Sequence, residues 1–247
     1  MDTAGESGGQ YAGAHGGQYA GQYVSPLDDS EGVWGQTARP PEVPDPGWRV
    51  GRFLGEGSAA RVWLVERTAD GARYALKVPS RPDTSADEFD LRRELTILSR
   101  FGHENLLGVH GFLATADGRG LLLEYAPGDS LARLVAVRKT LTEGEAVTVL
   151  VAVARALACL HAEGAAHGDV SPGNVLFTAY GKPLLADFGT GRMLGEGRDG
   201  AVGTPGFAAP AEPGTDDAGS RVSGAGLEAD VYALGALGWF MLTGRPL

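Results

Sequence analysis

The chain contains one cysteine, Cys159, and three lysines among its 247 residues. A single cysteine cannot form an internal disulfide, and this is compatible with a reducing compartment. Because Cys159 lies within an apolar helical pattern, we expect a packed, inert thiol rather than a nucleophile. We therefore expect a cytoplasmic protein.

Positive charge and long apolar runs are also scarce. The formal charge at pH 7 is −10, so the phosphate backbone of a nucleic acid is not an expected partner. The apolar run at 148–160 contains Arg155 and is shorter than the roughly 20 residues that span a bilayer. The first residues are acidic and Gly-rich, unlike a signal peptide. We expect no membrane segment within this chain.

Residues 1–46 are rich in Gly, Gln and Ser and end in a proline-rich stretch. Gly-Gly-Gln-Tyr-Ala-Gly occurs at 8–13 and again at 16–21. Such a segment buries too little apolar surface to offset the entropy of ordering it. We predict a disordered tail at 1–46, followed by one domain at 47–247. A tyrosine-containing interaction tail is the alternative.

The most informative polar residues lie between positions 167 and 189. Asp169 is followed five residues later by Asn174, and a second acid stands at Asp187. The apolar runs at 175–177 and 184–186 predict a hairpin, which would return Asn174 and Asp187 to neighbouring positions. Two oxygen ligands suit Mg²⁺, and the third group, Asp169, is free to orient an attacking hydroxyl.

A glycine-containing turn lies upstream between two predicted strands, at 50–54 and 63–65. Glycine lets a backbone approach phosphates closely. An ordinary hairpin turn is the alternative, since Ala60 stands where a third glycine would complete the pattern. In the next strand, alternation places Ala75 and Lys77 on one face. A small side chain and a cation would therefore lie under the turn.

The next predicted helix carries an acid within its apolar stripe. A capping-box pattern at 85–88 begins it, and it runs to about residue 100. Glu94 shares a face with three leucines at helical spacing: Leu91, Leu95 and Leu98. A carboxylate among apolar side chains needs a partner. We predict that Lys77 and Glu94 form an ion pair in a cleft.

A longer helix begins with a second capping box at Thr142 and Glu145 and ends at Gly164. Helical spacing predicts a core-facing stripe: Val147, Leu150, Val151, Ala154, Leu157, Ala158 and His161.

These parts resemble those of protein kinases in kind and in order over about residues 48–247. His167-x-Asp169-x-x-x-x-Asn174 and the later Asp187-Phe188-Gly189 resemble the catalytic and metal loops. Four further segments also resemble kinase parts in chain order. Residues 55–62 resemble the phosphate flap, and residues 74–78 resemble the lysine strand. Residues 203–210 resemble the end of a Ser/Thr-type activation loop, and residues 230–235 resemble the start of the central helix.

The resemblance implies a role for each site residue. Asp169 would be the catalytic base, with Lys77 and Glu94 as the catalytic ion pair, and Asn174 and Asp187 would hold Mg²⁺. His167 would pack against Phe188. ATP would be bound by Leu54, Gly55, Gly57, Val62, Ala75, Lys77, Glu124, Ala126 and Leu176.

The implied fold is α+β and two-lobed. A small antiparallel sheet with one helix would occupy 47–124, a hinge 124–128 and a helical lobe 129–247. The resemblance also implies that the last helices of this lobe are missing, which predicts exposed apolar surface on the helix beginning near Asp230. Asp230 would tie down the catalytic-loop backbone, and residues 211–228 would form a flexible insertion.

The implied activity is transfer of the ATP γ-phosphoryl group to Ser or Thr hydroxyls of a protein substrate. Ser171 stands where Ser/Thr kinases carry Lys, and Gly173 stands where Tyr kinases carry Arg, so we expect a slow enzyme. Gly168 replaces an Arg that in many kinases reads a phosphorylated activation loop. The alternatives are a nucleotide-binding pseudokinase that acts as a docking module, and a small-molecule phosphotransferase of the aminoglycoside or choline kinase type.

Overall fold

The computed structural model describes residues 39–247, apart from several internal segments. Residues 1–38 of the predicted tail, the capping box at 85–88 and the first part of the predicted insertion lie outside the described residues. The internal segments left out are 58–59, 81–90, 93, 97, 189–191, 194–202 and 211–224.

Five strands in the first half of the chain form an antiparallel sheet with the spatial order β1-β2-β3-β5-β4. The strands are β1 Trp48–Glu56, β2 Ala60–Arg67, β3 Arg73–Pro79, β4 Val109–Thr115 and β5 Gly118–Glu124. Ala75 of β3 packs into the main core, whereas Leu76 packs into a smaller cluster on the other face. The predicted division of β3 into two faces is confirmed.

One helix packs against the face of this sheet that carries Ala75, which we call the inner face. The described residues between 91 and 98 are helical, and we call this helix α1. Leu91, Glu94 and Leu98 are buried, which confirms the predicted face. Burial of Glu94 beside leucines is what makes a cationic partner necessary.

Residues 42–47 lie against the outer face of the sheet, although the sequence placed 42–46 in the tail. Val43 packs against the smaller apolar cluster. The Ala116 amide donates to the Glu42 carbonyl at 2.8 Å, and the Thr68 amide donates to the Gly47 carbonyl at 2.9 Å. A single valine in a proline-rich segment is too weak a periodic signal to predict this contact.

Removal of residues 1–38 and of residues 1–46 is expected to have different effects on stability. The longer deletion uncovers apolar side chains and removes two backbone hydrogen bonds, to the Glu42 and Asp45 carbonyls, so it should cost about 1–3 kcal/mol. Thermal unfolding followed by circular dichroism measures this, with Val43→Asp in the 1–38 deletion as the matched control. Identical unfolding temperatures for the two deletions would show that residues 42–46 do not support the sheet.

The second half of the chain is largely helical, so the α+β class is confirmed. Its helices are α2 Leu131–Arg138, α3 Glu143–Ala162 and α4 Ala225–Thr243, with a 3₁₀ turn at Pro172–Asn174. Its short strands are β6 Ala165–Ala166, β7 Val175–Phe177, β8 Pro183–Leu185 and β9 Arg192–Met193. β7 and β8 pair in an antiparallel hairpin, as predicted.

The predicted core face of α3 is wrong. Both hydrogen bonds of the capping box at Thr142 and Glu145 form, but Val147 and Val151 of the predicted stripe are exposed. The helix is apolar on most sides, so spacing alone does not reveal which stripe meets the core. The residues that α3 buries are Ala146, Val149, Ala152, Val153, Ala156, Leu157 and Leu160.

By length and composition α3 would also pass for a membrane span, although only weakly. The predicted absence of a membrane segment rests on the shortness of its apolar run at 148–160. The core helix of a globular domain passes the same test, and α3 packs against α4 and β8.

Helix α4 begins at Ala225, five residues before the predicted start at Asp230. It therefore takes up the end of the predicted insertion at 211–228. Ala236, Leu237 and Met241 are buried in the core, while Trp239 and Leu242 are exposed. The predicted exposed apolar surface on this helix is present.

Candidate active site

Helix α4 anchors the loop that carries Asp169. Asp230, whose side chain is 1% exposed, accepts hydrogen bonds from the His167 and Gly168 amides, both at 2.8 Å. His161 Nε2 lies 2.8 Å from the same carboxylate. The predicted tie between Asp230 and the loop backbone is confirmed, whereas the sequence did not predict the contact with His161.

His167 stabilises the loop that carries Asp169 through hydrogen bonds to backbone groups. Its Nδ1 accepts from the Asp169 amide at 3.2 Å, so Nε2 carries the proton and donates to the Ala186 carbonyl at 3.0 Å. The ring is fully buried and meets Phe188 edge-on, with 4.6 Å between centroids. The predicted packing against Phe188 is confirmed, and both ring nitrogens contact backbone groups.

The β7–β8 hairpin brings the three predicted polar residues together. The Ala186 amide donates to the Asn174 carbonyl at 2.8 Å, so Asp187 follows directly beside Asn174. Asn174 Nδ2 donates to Asp169 Oδ2 at 2.9 Å and to the Asp169 carbonyl at 2.8 Å. Because Nδ2 is the donor, the Asn174 Oδ1 atom remains available as an oxygen ligand.

The other oxygen of the Asp169 carboxylate is held by Thr204. The Thr204 amide and Oγ1 both donate to Asp169 Oδ1, at 2.8 and 2.7 Å. Thr204 belongs to the segment 203–210, which resembles the end of an activation loop. A contact across 35 positions has no periodic signal, so this pairing was missed.

Lys77 connects the sheet, helix α1 and the end of the hairpin. Its Nζ lies 2.7 Å from Glu94 Oε2 and 2.7 Å from Asp187 Oδ1. Glu94 Oε1 also accepts from the Phe188 amide at 3.3 Å. The predicted ion pair between Lys77 and Glu94 is confirmed, and Asp187 is a partner that the sequence did not predict.

Burial and the neighbouring charges shift the pKa values of Lys77 and Glu94 in opposite directions. Burial by itself lowers the pKa of Lys77, but the Asp187 and Glu94 carboxylates together raise it above its usual value. Burial raises the pKa of Glu94, and the Lys77 ammonium opposes that rise. The two carboxylates therefore favour the cationic form of Lys77.

The apolar residues predicted to hold a nucleotide base lie in one buried cluster. Both halves of the chain contribute to it: Leu54, Val62, Ala75, Ala126 and Leu176. Glu124 ends β5, opposite Tyr74 of β3. Gly55 pairs with Val62, which pairs in turn with Lys77, and the Gly57 amide donates to the Ala60 carbonyl at 2.8 Å.

The donor set fits a magnesium–phosphate group. Asn174 and Asp187 offer oxygen atoms from neighbouring positions, and such a pair leaves room in an octahedral shell for phosphate and water. Asp187 has a φ of 64°, a left-handed conformation that costs about 1–3 kcal/mol and clusters at functional sites. A buried apolar cluster, the Lys77 ammonium and two oxygen ligands together suit a nucleoside triphosphate with its metal.

The sequence matches the protein kinase domain family over residues 48–247. It is 34% identical to CBL-interacting protein kinase 4 of Oryza sativa subsp. japonica over 208 residues, which cover 80% of this chain and 44% of that protein. It is 33% identical to the inactive serine/threonine-protein kinase PLK5 of Mus musculus over 213 residues, which cover 82% of this chain and 34% of that protein.

A third relative is the calcium/calmodulin-dependent protein kinase cmkB of Emericella nidulans. It is 29% identical over 218 residues, which cover 85% of this chain and 52% of that protein. The chain thus spans about half or less of the length of these three relatives.

Proposed function

Because this chain belongs to the protein kinase family, we propose that it transfers the γ-phosphoryl group of ATP to Ser or Thr hydroxyls of a protein substrate, in the cytoplasm. One observation carries the proposal. Asp169 is fixed by Asn174 and Thr204, while Lys77 is held between Glu94 and Asp187 at 2.7 Å from each. These are the parts that phosphoryl transfer requires, since it depends on positioning and charge stabilisation.

Each residue then has a defined task. Asp169 orients the acceptor hydroxyl and accepts its proton. Asn174 and Asp187 would hold Mg²⁺, which neutralises charge on the phosphate oxygens. Lys77 pairs with the phosphates of ATP, and Glu94 keeps its ammonium in place. The buried cluster around Leu54 and Leu176 takes the adenine.

The rate of this reaction is expected to be low. Ser171, two residues after Asp169, is 4% exposed and brings a hydroxyl rather than a charge. Charge redistributes on the transferring phosphoryl group in the transition state, so a missing cation lowers kcat rather than ATP affinity. Loss of one such group costs roughly 10²–10³-fold in rate, by analogy with an oxyanion-hole donor.

A nucleotide-binding docking module is the second candidate. Two observations favour it: Ser171 brings no charge, and one relative is named as an inactive kinase. Calorimetric ATP-Mg²⁺ affinity and phosphorylation of a generic basic protein, measured on one preparation, separate the two. We expect binding together with slow turnover. Binding without any turnover would support the docking module instead.

Thr204→Val is expected to lower kcat by about 10-fold or more, because a hydrogen bond to a charged group contributes about 1.5–3 kcal/mol. The change removes the Oγ1 donor to Asp169 Oδ1 and keeps the amide donor. Thr204→Ser restores the hydroxyl and should restore the rate. Thr148→Val, which removes an exposed hydroxyl on α3, is the matched control. Equal kcat for Thr204→Val and wild type would show that this hydroxyl does not position Asp169.

A further inference from the structure

Strand β1 lies at one edge of the five-stranded sheet, where it pairs with β2. It carries Leu54 of the buried cluster, and Gly55 of the glycine-containing turn follows directly. Its register against β2 shifts on both sides of Phe53. Irregularities of this kind re-aim side chains and are common beside active sites. Regular pairing with β2 is therefore interrupted where β1 reaches the proposed nucleotide site.

A hydrogen bond connects this part of β1 to the predicted hinge at 124–128. Arg52 Nη2 donates to the Tyr125 hydroxyl oxygen at 3.0 Å, and both side chains are half-buried. In the sheet, β2 and β3 lie between β1 and β5, and Tyr125 directly follows β5. Three strand spacings, about 14 Å in total, separate β1 from β5. Strand pairing therefore does not impose this contact.

The two residues stand next to opposite walls of the proposed adenine site. Leu54 follows Arg52 by two positions and is 0% exposed, and Ala126 follows Tyr125 and is 6% exposed. The Tyr125 ring packs against the same buried cluster. A hydrogen bond from a charged guanidinium is stronger than one between neutral groups. The contact thus holds β1 and the predicted hinge together beside the base.

We infer that the contact between Arg52 and Tyr125 sets how long a nucleotide stays bound. The inference rests on the proposed function, in which the adenine enters the cluster that contains Leu54 and Ala126. A base enclosed between β1 and the predicted hinge leaves when these two elements move apart. That movement breaks the hydrogen bond, so the bond adds to the barrier for release.

The same bond also adds to the barrier for entry. It joins two protein groups and includes no atom of the nucleotide, so it does not favour the bound state over the free state. Its removal should therefore raise the rates of release and of association by the same factor and leave the Kd nearly unchanged. A residue that contacts the nucleotide, or that only maintains the shape of the site, would change the Kd instead.

The test compares the wild-type chain with Tyr125→Phe, which removes only the hydroxyl. Arg52 makes at least one further interaction, and this change leaves the guanidinium in place. Rapid filtration of radiolabelled ADP-Mg²⁺, chased with unlabelled ADP, gives the release rate, and a binding time course gives the association rate. Both rates should rise about 10-fold, because hydrogen bonds to charged groups are among the stronger ones.

Three further variants test whether the two side chains act together. Arg52→Met keeps the length of the side chain without its donor and should also speed release. The double variant with Tyr125→Phe should be no faster than the faster single variant. Arg52→Lys keeps a donor and should restore part of the slow release. The matched controls are Arg49→Met, on the same strand, and Tyr180→Phe, whose ring is 99% exposed.

The outcomes separate this inference from the proposed function. Unchanged release in folded Tyr125→Phe, or rate increases that multiply in the double variant, would overturn the inference and leave the kinase function intact. Faster release with an unchanged association rate would also overturn it, because the Kd would then have risen. Arg52→Met decides the question if Tyr125→Phe does not fold. No binding of ADP-Mg²⁺ by the wild-type chain would remove the proposed function and the inference with it.

Discussion

Asp169→Asn is expected to lower phosphoryl transfer by about 10²–10⁴-fold, the usual contribution of a general base. Asparagine is nearly isosteric and can still accept hydrogen bonds from Thr204, but it cannot take the proton of the acceptor hydroxyl. Affinity for ATP-Mg²⁺ should change little, because the proposed metal ligands are Asn174 and Asp187. Rapid-quench measurement of single-turnover transfer, alongside calorimetric ATP binding, checks both parts.

Asp117→Asn is the matched control for this change. Asp117 is an exposed acid at the turn between β4 and β5, and its replacement should leave transfer unaltered. If Asp169→Asn transferred phosphate as fast as the control, another residue would be the base. If both the rate and ATP affinity collapsed, Asp169 would instead be holding the metal or the fold.

Lys77→Met is expected to have the second large effect, and on two properties. Glu94 is 1% exposed and would keep a buried charge without its cation, which costs about 3–5 kcal/mol of folding free energy. The phosphates of ATP would also lose their ammonium partner. Denaturant unfolding and ATP-Mg²⁺ titration should therefore both show a loss.

The double variant Lys77→Met and Glu94→Met separates these effects. Replacing both members of a buried ion pair with apolar side chains of similar size is often neutral or stabilising, so stability should return while ATP binding stays weak. Lys182→Met, which removes an exposed lysine 3.5 Å from Glu104, is the control and should change neither property. Recovery of ATP binding in the double variant would contradict the assigned role of Lys77.

The ion pair between Lys77 and Glu94 could be predicted because local patterns determine both partners. Strand alternation placed Lys77 beside Ala75, and helical spacing placed Glu94 among leucines. The hairpin that brings Asp187 next to Asn174 could also be predicted from the sequence, because two short apolar runs flank a turn. In each case a local pattern in the sequence determines the conformation of the backbone.

Other features of the structure have no local pattern in the sequence that would predict them. Thr204 contacts Asp169 from a loop 35 positions away in the sequence. The buried face of α3 was misjudged because Val147 and Val151 are as apolar as the residues that the core takes up. Contacts of this kind are set by tertiary packing, which competes with and overrides local propensity.

The central claim is that this chain moves the γ-phosphoryl group of ATP onto protein Ser or Thr. The most direct measurement is the amount of phosphoserine and phosphothreonine formed from γ-labelled ATP, compared with the ADP released in the same reaction. We expect slow but equal accumulation of phosphoprotein and ADP by the wild-type chain, and neither with Asp169→Asn. ADP without phosphoprotein, or bound ATP that is never consumed, would contradict it.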